Sequence, residues 1–132
     1  MAESRIVVAA VCFVDDDGRV LTVRRSGTEP FILPGGKLRS DEGLASAALR
    51  AVDECLGITL QLVDLAWLGT WTALAANHPD HNVIATVFTA ILPQEPVPGA
   101  GIEEIHWVDP NGIESGIKLA PLLEQFVLKS VA

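Results

Sequence analysis

The chain contains few basic residues. Its 132 residues include nine Lys and Arg against 17 Asp and Glu, which gives a formal net charge of −8 at pH 7. The sequence has no run of Lys or Arg, whereas nucleic-acid backbones are held by clustered positive charge. These counts argue against a nucleic-acid polymer as partner. A small anionic substrate is compatible with them if a local positive patch or a bound cation offsets the negative field.

Cysteine and long apolar runs are also scarce. Cys12 and Cys55 lack the spacing of a paired motif, so the sequence predicts two free buried thiols in preference to a disulfide. No stretch reaches the roughly 18 uncharged apolar residues of a membrane helix, and residues 1–5 lack the basic start of a secretory signal. We therefore expect a cytoplasmic protein with no membrane partner.

Hydrophobic patterning predicts several strands. Val- and Ile-rich runs bounded by turn residues are typical of buried strands. The predicted strands, in chain order, cover residues 5–14, 19–25, 60–73, 82–92 and 103–108. Turn chemistry indicates a turn at 15–18 and loops at 34–36 and 77–81.

Two segments show helical periodicity. The spacing predicts a helix over 43–56 that ends at Gly57 and a second amphipathic helix near the C-terminus. The apolar positions of the first are Ala45, Ala48, Leu49, Val52 and Leu56, and those of the second are Leu119, Leu122, Leu123, Phe126 and Val127. Mixed strands with one central and one terminal helix indicate an α/β sandwich, and the chain length suits one domain.

The segment GGKLRSDEGLASAALRAVDECLGI, residues 35–58, resembles the Nudix box, whose pattern is G-x5-E-x7-R-E-U-x-E-E-x-G-U with U aliphatic. Seven of its nine specified positions match, namely Gly36, Glu42, Arg50, Val52, Glu54, Gly57 and Ile58. The strands at 20–25 and 105–109 also look like those of the family. The resemblance implies one Nudix hydrolase domain over residues 1–132, with a Nudix-type α/β/α sandwich and a mixed β-sheet.

Two box positions depart from the pattern. Ala51 and Cys55 stand where the family has glutamates, so Glu54 alone remains of three helix carboxylates that lie together at i, i+3 and i+4. Asp53 projects about 160° away from position 55 and is no substitute. Cys55 would bind metal only as a thiolate, which suits soft metals, so a small buried residue is the preferred interpretation.

A third departure lies before the last strand. Many relatives carry a loop glutamate where this sequence has Gly101. Glu103 and Glu104 are close in sequence and offer compensation, but strand alternation predicts that only one of them points inward.

The resemblance implies a metal site and catalytic residues. Glu42, Glu54 and the backbone carbonyl of Gly36 would hold one Mg²⁺, with Mn²⁺ as an alternative, and water and substrate phosphates would complete its shell. Arg50 is implied to ion-pair with a box glutamate and orient it. Glu54 and Arg50 are thus the candidate catalytic residues.

The resemblance also implies a substrate site. Arg25 is similar to a family residue that contacts substrate phosphate, beside Gly35 and Gly36, with an ordinary surface arginine as the alternative. The three tryptophans are predicted to be core residues in preference to platforms for a base, namely Trp67, Trp71 and Trp107.

The implied function is Mg²⁺-dependent hydrolysis of a nucleoside diphosphate linked to another group. Nucleoside triphosphates are the default class, because the chain is short and has no Tyr of the kind that marks other branches of the family. Weak activity is expected from the incomplete box. Two alternatives stay open: a nucleotide-binding or regulatory module that lost turnover, and an isomerase or other metal-dependent enzyme on the same scaffold. A homodimer is also left open.

Overall fold

The computed structural model describes residues 5–75 and 78–131. Its elements, in chain order, are β1 (Arg5–Phe13), β2 (Val20–Arg25), β3 (Gly35–Lys37), α1 (Leu44–Leu56), a 3-10 turn (Leu62–Asp64), β4 (Ala66–Ala75), β5 (His78–Ala90), β6 (Ile102–Val108), a π-helical turn (Leu123–Val127) and α2 (Leu128–Val131). One sheet has the order β3-β1-β5-β4, and β2 pairs with β6 in a second. β1 and β5 are parallel and the other pairs are antiparallel.

From Ala9 to Phe13, β1 is buried on both faces, and its side chains alternate between two cores. Ala9, Val11 and Phe13 pack into the core that contains α1. Ala10 and Cys12 pack into the core on the other side, which contains the C-terminal helical segment. This two-sided burial explains why the sequence of β1 is a continuous apolar run. The predicted mixed sheet within an α/β/α sandwich is confirmed.

The helix predicted over 43–56 is confirmed, beginning one residue later. It ends at Gly57, which has φ 65° and donates its backbone N–H to the carbonyl of Asp53 at 2.9 Å. Of the predicted core face, Ala45 and Leu49 are only half-buried. The buried residues of α1 are Ala47, Ala48, Ala51, Val52, Cys55 and Leu56. The buried face is wider than predicted because α1 packs against both β1 and β3.

Three predicted boundaries near the strands are wrong. Gly35 and Gly36 lie in β3 and not in a loop, because a glycine lets β3 approach β1: a Cβ added at Gly35 would lie 2.7 Å from that of Ala10. The strand predicted from residue 60 begins at Ala66, after the 3-10 turn. Residues 78–81, predicted as loop, belong to β5, and Asn77 lies outside the described residues.

The C-terminal helical segment begins at Pro121, so the placement of Leu119 on it was wrong. Leu119 instead forms an isolated parallel bridge with Phe31. The remaining predicted residues of this face lie within the segment, and Leu123 and Val127 are buried.

One of the three tryptophans is not a core residue. Trp67 is 67% exposed, which contradicts its predicted core position, because β4 is an edge strand with a solvent-facing side. Trp71 is half-buried and stacks on Phe126 with ring centroids 6.1 Å apart, and Trp107 is also half-buried.

The two cysteines are free and buried, as predicted. Burial raises the pKa of the Cys12 thiol to about 12, since an apolar surrounding disfavours the thiolate. Among the described residues, no helix is both long and apolar enough to cross a membrane.

Candidate functional site

The guanidinium of Arg50 joins two carboxylates and a backbone carbonyl. Its Nη2 lies 2.6 Å from Oε1 of Glu42, and its Nε donates to Oε2 of the same side chain at 3.2 Å. Nη1 lies 3.1 Å from Oε1 of Glu54, and Nη2 donates to the carbonyl of Lys37 at 2.9 Å. A planar fork of donors suits this bidentate arrangement. The predicted pairing of Arg50 with a box glutamate is therefore present, and it involves both.

Local structure explains how these groups meet. Glu54 follows Arg50 by four residues on α1, and residues at this spacing lie on the same side of a helix. Glu42 lies in the turn before α1, where its Oε1 accepts the backbone N–H of Arg39 at 3.0 Å. The Arg39 guanidinium lies 3.6 Å from Glu54. Two arginines and two glutamates thus form one network that extends from the turn before α1 to the second half of this helix.

The network shifts the titration of its most enclosed carboxylate. Hydrogen bonds from Arg50 lower the pKa of Glu42 from its ordinary 4.5 to about 2, and the backbone N–H of Arg39 adds to the effect. The same pairing raises the pKa of Arg50. Glu42 and Arg50 are therefore both charged throughout the neutral range.

This shift predicts a pH-dependent stability. The depressed pKa of Glu42 means that its stabilising contribution is present above pH 4.5 and is lost as the pH falls towards about 2. Thermal unfolding at several pH values should therefore show wild type more stable than Glu42→Gln at pH 6, with the difference shrinking at pH 2.5. Glu124→Gln, at an exposed helical position, serves as the control. A Glu42→Gln difference that is constant across this range would contradict the prediction.

Arg25 reaches the same region from the end of β2. Its Nη2 donates to the carbonyl of Gly35 at 2.9 Å, which ties β2 to the start of β3. The Cys55 thiol also lies 3.9 Å from that carbonyl. The structure thus brings together Arg25, Gly35 and the buried side of α1.

A small cleft of about 80 Å³ lies between these groups. It is lined by Arg25, Gly35, Gly36, Arg50, Ala51, Glu54, Cys55 and Ala100. Ala51 is 2% exposed and Cys55 is 3% exposed, which confirms the interpretation of Cys55 as a small buried residue. Burial raises the pKa of the Cys55 thiol, so it is a poor thiolate ligand. The cleft is the space into which longer side chains at positions 51 and 55 would project.

A larger cleft of about 570 Å³ opens from the same place. Arg25, Arg50 and Glu54 line it together with two basic residues that the sequence analysis missed, Lys37 and Arg39. Four of the nine Lys and Arg residues of this acidic chain therefore face one cleft. The alternation Lys37, Leu38, Arg39 next to a glycine pair was a signal for basic side chains on a common side.

The model of the NUDIX domain family matches residues 4–127. The chain belongs to the Nudix family. No match was found among curated protein sequences.

Solved structures agree with this Nudix assignment at the level of the fold. A MutT NUDIX hydrolase from Burkholderia pseudomallei is 24% identical, with a TM-score of 0.79 over 98% of this chain and 100% of that one. A MutT/nudix family protein from Enterococcus faecalis is 16% identical, with a TM-score of 0.77 over 98% of this chain and 62% of that one.

A third protein of similar fold was solved with ligands. The bifunctional NMN adenylyltransferase/ADP ribose pyrophosphatase from Francisella tularensis, complexed with AMP and a Mn ion, is 18% identical with a TM-score of 0.69. The match covers 99% of this chain and 43% of that one. The chain therefore spans less than two thirds of the length of this relative and of the Enterococcus protein.

The conformation of the loop after β5 explains why this Nudix domain has a glycine at position 101, where many relatives have a glutamate. Backbone N–H groups of Val97 and Gly99 donate to the carbonyls of Leu56 and Cys55 at 2.9 and 2.8 Å, which satisfies the C-terminal end of α1. A Cβ at Gly99 would collide with the Glu54 carbonyl oxygen. Gly101 then adopts φ +81°, a backbone conformation that a glutamate would rarely adopt.

Neither acidic neighbour replaces the glutamate that many Nudix proteins have at position 101. The strand register shifts between Arg24 and Arg25, so simple alternation fails. Glu103 and Glu104 both lie 3.0 Å from the Arg24 guanidinium. The prediction that only one of them points inward was therefore wrong, and neither lines the two clefts.

The oxygen donors near α1 supply only some of the ligands that a hard cation such as Mg²⁺ needs. Within residues 5–75 and 78–131, no three His, Cys, Asp or Glu side chains are gathered closely enough to hold a metal ion. Glu42 and Glu54 are joined through Arg50, and Glu54 lines both clefts. Glu42 and Glu54 are oxygen donors suited to one Mg²⁺ whose other ligands are water and phosphate. This set suits one ion better than a cluster. The Gly36 carbonyl, the third predicted ligand, does not face the clefts: Gly36 lies opposite Ala9, between the backbone hydrogen bonds that join Val7 to Leu38 and Val11 to Pro34, so its carbonyl is directed towards β1.

Proposed function

We propose that the protein is a diphosphate hydrolase that acts weakly and depends on Mg²⁺. The supporting observation is the cleft where Arg25, Lys37, Arg39 and Arg50 meet Glu54 in a protein of net charge −8. Such a concentration of positive charge suits a phosphate-rich substrate. Nucleoside diphosphates linked to another group are the class that the family implies, with nucleoside triphosphates the first to test.

In this proposal each charged residue has a separate task. Water attacks a phosphorus atom, a P–O bond of the anhydride breaks, and negative charge on the leaving phosphate increases. Arg25, Lys37 and Arg39 bind phosphate oxygens and offset that charge. Arg50 positions Glu54 through their 3.1 Å contact, while Glu42 holds Arg50 from the other side.

Glu54 is the group proposed to hold Mg²⁺ or Mn²⁺, with Glu42 joining if it gives up a bond to Arg50. When bound, a divalent cation supplies charge neutralisation on the diphosphate oxygens. The Mn ion of the Francisella tularensis complex supports including Mn²⁺ in the test. Gly35 and Gly36 line both clefts, so the phosphates are proposed to lie against their backbone.

A binding or regulatory module is the second candidate. The observation that favours it is the burial of Ala51 and Cys55 where the family has carboxylates. Such a module would keep the basic cleft and lose turnover. A cytoplasmic location, one domain over residues 1–132 and a homodimer remain predictions alongside either function.

A substrate screen separates the two candidates. Purified protein is incubated with nucleoside triphosphates, nucleoside diphosphate conjugates and other organic diphosphates, with Mg²⁺ or Mn²⁺ or with EDTA. Phosphate or pyrophosphate release and the thermal midpoint are both measured. We expect slow, cation-dependent release from at least one compound. Stabilisation by a diphosphate with no release from any compound would favour the binding module.

A further inference from the structure

The larger cleft is charged on one part of its wall and apolar on the rest. Its charged side chains come from β2, β3, the turn after β3 and α1. Twelve of its 19 described lining residues are aliphatic, and β4, β5, the C-terminal helical segment and the residue before that segment contribute only such residues. Those six are Leu74, Ala75, Val83, Ala120, Leu122 and Leu123.

Within the part of the chain that the structure describes, the apolar wall offers little that can recognise a nucleobase. Among the described lining residues there is no aromatic ring for stacking and no Ser, Thr, Asn, Gln, Asp or His side chain. Much of the backbone of β1 and β5 is also occupied, because β1 lies between β3 and β5, and β5 lies between β1 and β4. The carbonyls of Gly35 and Lys37 already accept bonds from Arg25 and Arg50. A base buried here would leave its polar edge unsatisfied, which is costly.

We propose that the cleft binds an organic diphosphate whose organic group is aliphatic. The diphosphate lies against Arg25, Lys37 and Arg39, and the hydrocarbon chain extends along Val83 and Leu122. A volume of about 570 Å³ is in the range of small-molecule sites and accommodates a branched chain as well as a linear one. The inference rests on the proposed diphosphate chemistry and names the group attached to it.

Binding of non-hydrolysable analogues tests the inference without relying on turnover. Methyl and pentyl methylenediphosphonate and α,β-methylene-ADP are titrated into the protein by calorimetry with Mg²⁺. Each fully buried methylene strengthens binding by about fourfold. Because burial in an open cleft is incomplete, we expect the pentyl compound to bind at least about tenfold more tightly than the methyl compound. It should also bind more tightly than the ADP analogue.

Matched variants locate the aliphatic group. Leu122→Asn places an amide on the apolar wall. It should lower the affinity for the pentyl compound at least about fivefold and leave the affinity for the methyl compound unchanged. Ile91→Asn makes the same kind of change at a residue that is 85% exposed and outside the cleft, and should alter neither affinity. Val83→Thr nearly preserves side-chain shape and should also lower the affinity for the pentyl compound. This variant replaces Leu122→Asn in the test if Leu122→Asn does not fold.

The outcomes separate this inference from the proposed function. The proposal that the organic group is aliphatic would be overturned if the methyl and pentyl compounds bound within threefold of each other, or if the ADP analogue bound more tightly than the pentyl compound. Either result would leave the proposed diphosphate chemistry intact. Absence of binding by every compound would overturn both. An equal loss of pentyl affinity in Ile91→Asn and Leu122→Asn would also overturn the assignment to this wall.

Discussion

Ala51→Glu combined with Cys55→Glu should raise Mg²⁺-dependent turnover at least about tenfold. Both residues line the small cleft beside Glu54, so the new side chains have space into which to project. Three carboxylates would then lie at i, i+3 and i+4 on α1 and strengthen the hold on a divalent cation. Tenfold corresponds to about 1.4 kcal/mol of transition-state stabilisation. The measurement is the initial rate on the best substrate of the screen.

The double variant needs controls for folding and for added charge. Cys55 is buried, and a carboxylate without a partner in the core is costly, so circular dichroism and thermal unfolding come first. Ser46→Glu adds a carboxylate to an exposed position of the same helix and should give no gain. Glu54→Gln in the double variant should abolish the gain. A folded double variant with unchanged cation affinity and turnover would contradict the idea that the missing carboxylates limit activity.

Arg50→Ala should reduce turnover at least about a hundredfold, or about 2.7 kcal/mol in activation free energy. The substitution removes the bonds that hold Glu54 and Glu42 and removes one positive charge from the larger cleft. Arg50→Lys should recover little activity, because one ammonium cannot reproduce the forked contacts to two carboxylates and a carbonyl.

Arg24 provides a matched control for Arg50. It also binds two glutamates, at 3.0 Å each, and its side chain is 22% exposed against 20% for Arg50. Arg24 does not line either cleft. Arg24→Ala should therefore cost stability and leave the rate per folded molecule nearly unchanged. If Arg24→Ala and Arg50→Ala lowered that rate equally, the loss would be structural and the proposed role of Arg50 would be wrong.

Local patterns predicted the fold where one interaction dominates. The spacing of Ala48, Val52 and Leu56 predicted α1 because one face of that helix is buried. Gly57 predicted its end because the left-handed conformation there favours glycine. The pairing of Arg50 with a box glutamate was implied by the resemblance to the Nudix box, and the i, i+4 spacing of Arg50 and Glu54 on α1 explains one of its two contacts.

Features set by distant contacts were not predictable in this way. Gly35 and Gly36 look like a loop in sequence, but pairing with β1 makes them a strand. Trp67 resembles a core residue until the strand order places β4 at the sheet edge. The prediction that Glu103 or Glu104 points inward assumed regular strand alternation, which a β-bulge interrupts. The larger cleft is lined by residues from both ends of the chain, so no short stretch of sequence could predict its aliphatic wall.

Cation dependence of hydrolysis tests the proposed single-cation site most directly. Initial rates of phosphate or pyrophosphate release are measured over a Mg²⁺ titration for wild type and for Glu54→Gln, with EDTA as the zero point. A site that holds one cation predicts saturation with a Hill coefficient near one in wild type. It also predicts a marked loss of rate and of Mg²⁺ affinity in Glu54→Gln. Release that persists in EDTA, or that is unchanged in Glu54→Gln, would contradict the proposed site.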